Sequence, residues 1–118
     1  MQKFIVEGGS NLSGSITPSG NKNEALPVLA ASLLANEPVK INNVPEILDI
    51  SIMKDLLTGI GTIINQSENH SYYIDPSNIN NNNPDQKKAI RIRGSFLLAG
   101  PLLARKKSVI LPSPGGDR

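Results

Sequence analysis

Apolar positions along the chain fall into two helical stripes separated by short alternating runs. Leu26, Leu29, Ala30, Leu33 and Leu34 recur at i, i+3, i+4, i+7 and i+8, which places them on one face of a helix running from about Asn23 to Asn36. Pro27 is read as lying in the first turn, where its missing N–H costs nothing, and Pro38 closes the element. Ile50, Met53, Leu56, Leu57 and Ile60 repeat the stripe in a second helix, with Asp49 as its N-cap and Gly59 or Gly61 as its stop. Ser95 to Arg105 is a third helical pattern, and Gly100-Pro101 within it predicts a kink, because a proline ring clashes with the carbonyl four residues earlier, that of Leu97.

Between and around the helices the period shortens to two. Phe4 to Glu7 and Leu12 to Thr17, separated by the turn-forming Gly8-Gly9-Ser10-Asn11, predict a strand pair. Val39 to Asn42 alternates as a strand with one buried face. Thr62 to Gln66 and Ser71 to Asp75 predict a hairpin through Ser67-Glu68-Asn69-His70, and Ser108 to Leu111 predicts a last strand. The asparagine run at 80–83 marks a loop to which no chemistry is assigned. The order strand, helix, strand, helix, strand, strand is a self-contained α/β unit, since two amphipathic helices can cover one face of a four-stranded sheet. The pattern after Asn78 begins a second unit and leaves it unfinished.

Composition narrows the function. The chain has 118 residues, 38% of them apolar, with two Tyr, two Phe and no Trp, so the core is aliphatic. No cysteine is present, which excludes disulfides and thiolate metal sites, and a single histidine, His70 in the predicted hairpin turn, is read as exposed and assembles no metal cluster. Twelve basic residues against ten acidic ones give a net charge of +2, too balanced for a nucleic-acid partner. The N-terminus meets charge too soon for a signal peptide or a membrane span, so a cytoplasmic location is expected.

The candidate chemistry centres on Ser19-Gly20-Asn21-Lys22-Asn23-Glu24, a glycine-bearing turn that delivers a lysine and an asparagine onto the first turn of a helix. Unpaired backbone N–H groups and the positive end of the helix dipole favour an anion there, and Lys22 adds a full charge. Asn23 either caps the helix or hydrogen-bonds a ligand. The same pattern also describes an ordinary capped helix with a solvated lysine.

A resemblance separates these readings. "SGNKNEALPVLAASLLANEP", "NVPEILDI", "GIG", "RGSFLLAGPLLAR" and "LPSPGGDR" follow one another as in the UDP-N-acetylglucosamine 1-carboxyvinyltransferase (enolpyruvyltransferase) family, and the likeness covers the whole chain. It implies the βαβαββ unit of an inside-out α/β barrel plus an incomplete second unit, divided as an N-terminal strand pair at 1–20, a first unit at 21–76 and a partial unit at 77–118 ending in a catalytic loop. It implies transfer of enolpyruvyl from phosphoenolpyruvate to the 3-hydroxyl of UDP-N-acetylglucosamine with release of phosphate, without a cofactor.

By the same resemblance Lys22 and Asn23 contact phosphoenolpyruvate, and Arg93, with Arg91 as the nearby alternative, holds the UDP-sugar through its planar fork of donors. Asp117 is the proton donor to C3, at a position where most members of the family carry cysteine and a subset carries aspartate. A free aspartate titrates near 3.9, so this role requires burial or neighbouring anions to raise it. The family's enzymes are several times longer, so the chain is expected to be the N-terminal portion of an enzyme and inactive alone. A non-catalytic fragment is the alternative from another class. A 5-enolpyruvylshikimate-3-phosphate synthase ranks below, because its lysine sits in a Ser-Lys-Ser context.

Overall fold

The computed structural model describes residues 2–115. Among the described residues, four helices and three strands form a helical layer over one face of a small sheet: α1 (Lys22–Ala31), β1 (Val39–Ile41), α2 (Leu48–Gly59), β2 (Ile63–Glu68), β3 (Ser71–Asp75), α3 (Gln86–Ala89) and α4 (Ala99–Lys106). Short 3-10 stretches, Ser32–Leu34 and Arg93–Leu98, follow α1 and precede α4.

The sheet is antiparallel throughout, in the order β1-β3-β2. Val39 pairs with Ile74, Ile41 with Tyr72 and Ile64 with Ile74, so these side chains share one face by the two-residue period and pack against the helices. The opposite face carries Lys40 and Tyr73, with the Lys40 ammonium 3.4 Å from Glu68 and 5.7 Å from the Tyr73 ring centre. The β2–β3 turn is tied to the rest by its tip: the Val44 N–H donates to the His70 carbonyl at 2.8 Å, and His70 Nδ1 lies 3.2 Å from the Val44 carbonyl. The imidazole stays half exposed.

The core is the predicted aliphatic one. Leu29, Leu33, Met53, Leu56, Leu57 and Ile60 are wholly buried, joined by Ile74, Leu98 and Leu102. Each is worth roughly 1.5–3 kcal/mol of burial relative to exposure. Arg105 fastens α4 to this body, donating to the Pro76 carbonyl at 3.1 Å and the Ala35 carbonyl at 2.6 Å.

Several expectations are corrected. Residues 4–7 and 12–17 form no strand pair: the segment is irregular and exposed, with Phe4, Leu12 and Ile16 each more than nine-tenths accessible, because no described strand lies beside them to complete a ladder. The sheet is therefore three-stranded. This arm also lengthens the molecule, giving a radius of gyration of 17.4 Å against roughly 13–14 Å for a compact chain of this length. Residues 108–111 are likewise not a strand. They run as a strap held by side chains, with Asn82 Nδ2 donating to the Ser108 carbonyl and Gln86 Nε2 to that of Ile110.

Helix details shift for local reasons. Leu34 is half exposed, since the 3-10 turn at Ser32–Leu34 advances by three residues per turn and rotates it off the buried stripe. Pro27 lies in the second turn of α1, not the first, so the Asn23 carbonyl has no proline N–H to receive. The burial of Leu26, Leu29 and Ala30 offsets that loss. Pro101 does not kink a helix: α4 begins at Ala99, which puts the proline in its first turn, and the chain changes from 3-10 to α just before it.

Candidate functional site

α1 begins where the sequence places it, and Asn21 is the reason. Asn21 is extended at φ −93° and ψ 133°, and its side-chain oxygen accepts the Asn23 N–H at 2.7 Å. The cap is therefore Asn21, and the Asn23 side chain is released from that duty. Gly20 seats the turn. A Cβ there would clash with the Asn43 carbonyl oxygen and come within 2.9 Å of Pro45 Cδ, so only glycine lets the chain pass this close to the Asn43-Val44-Pro45 turn.

Lys22 and Asn23, on this first turn, line a cleft of about 510 Å³, a size suited to a small-molecule ligand. Leu26 and Pro27 continue the same wall. The second wall comes from the 3-10 stretch before α4, with Arg93, Gly94, Phe96 and Leu97. The two walls approach closely at Gly94, where an added Cβ would lie 2.9 Å from Leu26 Cδ1. Pro114, on the way to the C-terminal loop, borders the cleft as well.

Three of the four predicted site residues thus converge, although α2 and the whole sheet lie between Asn23 and Arg93 in sequence. Arg93 is exposed and makes no ion pair among the described residues. Arg91, the alternative, is exposed but does not border the cleft. Asp117, expected as the proton donor, lies outside the described residues.

Asp49 is a cleft residue that sequence reasoning assigned otherwise. It was expected to cap α2, but Ile47 occupies the cap position without a side-chain bond, and Asp49 lies in the first turn instead. Its Oδ2 is 3.2 Å from Lys22 Nζ, and both residues border the cleft. No periodicity announces such a pair, since it depends on how two helix starts come together in space.

The cleft combines two cations and one carboxylate at the start of α1 with an apolar rim. Phe96 and Leu97 are 59% and 41% exposed, which leaves apolar surface at its mouth. Such a site can hold a small anion against the α1 N-terminus and Lys22, and a larger anionic or polar group toward Arg93. Outside it, hydrogen bonds from the Ser77 side chain and then its backbone N–H hold the Asp75 carboxyl below its ordinary range. No helix of the described residues is long and apolar enough to cross a membrane.

Comparison with known proteins adds findings of three kinds. The family model for EPSP synthase (3-phosphoshikimate 1-carboxyvinyltransferase) matches residues 6–117. A UDP-N-acetylglucosamine 1-carboxyvinyltransferase of Bradyrhizobium diazoefficiens is 48% identical over 115 residues, covering 98% of this chain and 27% of the relative. A protein of the same name from Treponema pallidum is 41% identical over 117 residues, covering 99% and 28%. Among solved structures, the enolpyruvyl transferase NikO from Streptomyces tendae superposes with a TM-score of 0.70 at 27% identity, over 84% of this chain and 23% of that one. The chain thus spans about a quarter of the length of the relatives it matches.

Proposed function

From the premise that this chain belongs to the EPSP synthase family, we propose that the complete protein transfers enolpyruvyl from phosphoenolpyruvate to the 3-hydroxyl of UDP-N-acetylglucosamine. The observation that carries the proposal is the convergence of Lys22, Asn23 and Arg93 on one cleft at the α1 N-terminus. The choice of acceptor is supported by the names of the relatives at 48% and 41% identity and by the Asn21-Lys22-Asn23 context.

In the reaction, C3 of phosphoenolpyruvate gains a proton while the sugar 3-hydroxyl gives up its own proton to a base and its oxygen bonds to C2, giving a tetrahedral intermediate that still carries the phosphate. The C2–O bond to phosphate then breaks and a proton leaves C3, restoring the double bond. Lys22 and the α1 N–H groups hold the phosphate or carboxylate, where a charge-assisted hydrogen bond is about twice as strong as a neutral one. Asn23 supplies a further polar contact, and Arg93 takes the acceptor's diphosphate. Asp117 delivers the proton to C3. Under this reading residues 1–20, 21–76 and 77–118 are parts of one larger cytoplasmic enzyme of peptidoglycan synthesis, and thereby of cell shape and division.

The test is steady-state phosphate release by the complete enzyme. Lys22→Ala is expected to lower turnover at least about a hundredfold and to weaken phosphoenolpyruvate binding, with Lys22→Arg rescuing poorly because the guanidinium is wider than an ammonium. Wild-type kinetics in Lys22→Ala would remove the cleft from the reaction.

A further inference from the structure

A carboxylate is out of place in a cleft that receives anions, and Asp49 borders this one. Its charge opposes a phosphate or carboxylate at the α1 N-terminus, so it does not itself hold that anion. What it does hold is Lys22, whose ammonium lies 3.2 Å from Asp49 Oδ2. Both side chains stand on the first turns of helices that pack through one core, in which Leu29, Ile50 and Met53 are buried. The separation of the two anchoring backbones is therefore fixed, and the pair can set where the ammonium sits.

We propose that Asp49 is a positioning residue that acts through Lys22, holding its ammonium at the cleft in the geometry the transfer needs while opposing the ground-state affinity for the anion. A lysine side chain is long and flexible, and its rotamer entropy opposes confinement. An exposed lysine beside a helix start samples many positions, whereas one tethered to a fixed carboxylate samples few. The cleft tolerates the opposing charge because confinement improves the fraction of bound substrate that is correctly contacted, and misplacement of a contact by about 1 Å can cost on the order of a hundredfold in rate.

The inference rests on the enolpyruvyl-transfer reading, and the experiment separates the two. In the complete enzyme, Asp49→Asn keeps the shape of the side chain and removes its charge. kcat is expected to fall at least tenfold while KM for phosphoenolpyruvate stays within twofold of wild type or falls. Asp49→Glu is expected to recover a substantial part of kcat, because the charge returns on a side chain one methylene longer. Thermal unfolding of each variant gives the folded fraction. Loss of kcat that merely tracks loss of folded enzyme, a kcat within twofold of wild type in Asp49→Asn, or a loss lying wholly in KM would each overturn the role. If Lys22→Ala abolishes turnover while Asp49→Asn keeps a kcat within twofold of wild type, only this inference fails. If Lys22→Ala is itself fully active, the proposed reaction fails with it.

Discussion

Replacing Asn21 separates the two duties of the turn that opens α1. The Asn21 side chain accepts the Asn23 N–H at 2.7 Å in an exposed setting, and losing such a cap costs about 1 kcal/mol. For a chain of this size that corresponds to a drop in Tm of roughly 3–6 °C in Asn21→Ala. Asn21→Asp keeps an acceptor at the same place and adds a negative charge at the positive end of the helix, so its Tm should match or exceed that of wild type. That added charge sits beside the proposed anion site. A unit charge pair at close range in water is worth about 1 kcal/mol, so KM for phosphoenolpyruvate in the complete enzyme should rise about fivefold in Asn21→Asp while stability is kept. Differential scanning calorimetry and initial-rate kinetics on the two variants read the two effects separately. A Tm for Asn21→Ala within 1 °C of wild type would refute the cap's contribution, and an unchanged or lower KM in Asn21→Asp would refute an anion at this helix start.

Two further outcomes are expected. Under the proposed function, in which the family resemblance puts Asp117 where most members carry a cysteine that the epoxide fosfomycin alkylates, the complete enzyme is expected to resist the drug, because a carboxylate is a poorer nucleophile than a thiolate; Asp117→Cys should gain time-dependent inactivation and an adduct in the mass spectrum, and an adduct on the unmodified enzyme would refute the assignment. For Asp75, the hydrogen bonds from Ser77 favour the ionised form and depress the folded-state pKa, so the stabilisation is fully present above the ordinary aspartate range and is lost as pH falls through the lowered value. An NMR titration of the Asp75 carboxyl should show a midpoint below the ordinary one that moves upward in Ser77→Ala, and a midpoint unchanged by that substitution would remove the side-chain cause.

α1 and α2 were legible because each buries a face that recurs at 3.6 residues: in α2 and its cap Ile50, Met53, Leu56, Leu57 and Ile60 are all buried as the spacing requires. β3 was legible for the same reason at period two, with Tyr72 and Ile74 inside and Tyr73 outside. The arm at residues 4–17 carries an equally good pattern and forms no strand, since alternation states which face wants burial and not which neighbour supplies it. The strap at 108–111 differs in kind: its backbone is engaged by Asn82 and Gln86 side chains, partners that no apolar pattern encodes. The four-residue helix α3 was missed because it is too short to show a period, although Asp85 caps it by accepting the Lys87 and Lys88 N–H groups. At the site, Lys22 and Asn23 could be read from a local turn. Arg93 entered through resemblance, and its approach to α1 depends on the close contact at Gly94. Asp49 was hidden by its position, since an aspartate at a helix start serves as a cap far more often than as the partner of a lysine on another helix.

The seat of the α1 turn also sets an order of events during folding. Gly20 rests against the Asn43 carbonyl, and Val44 beside it is fastened to the tip of the β2–β3 hairpin by the 2.8 Å bond to the His70 carbonyl. Gly20, Asn43 and His70 are thus linked across two successive long loops of chain, whose closure entropy must be met before either contact forms. On a growing chain the turn bearing Lys22 emerges early, yet its floor is completed only once His70 has been made and the hairpin has closed. The wall bearing Arg93 is made later still. The cleft that begins at Lys22 can therefore be complete only after Arg93, about seventy residues further along the chain, has been made.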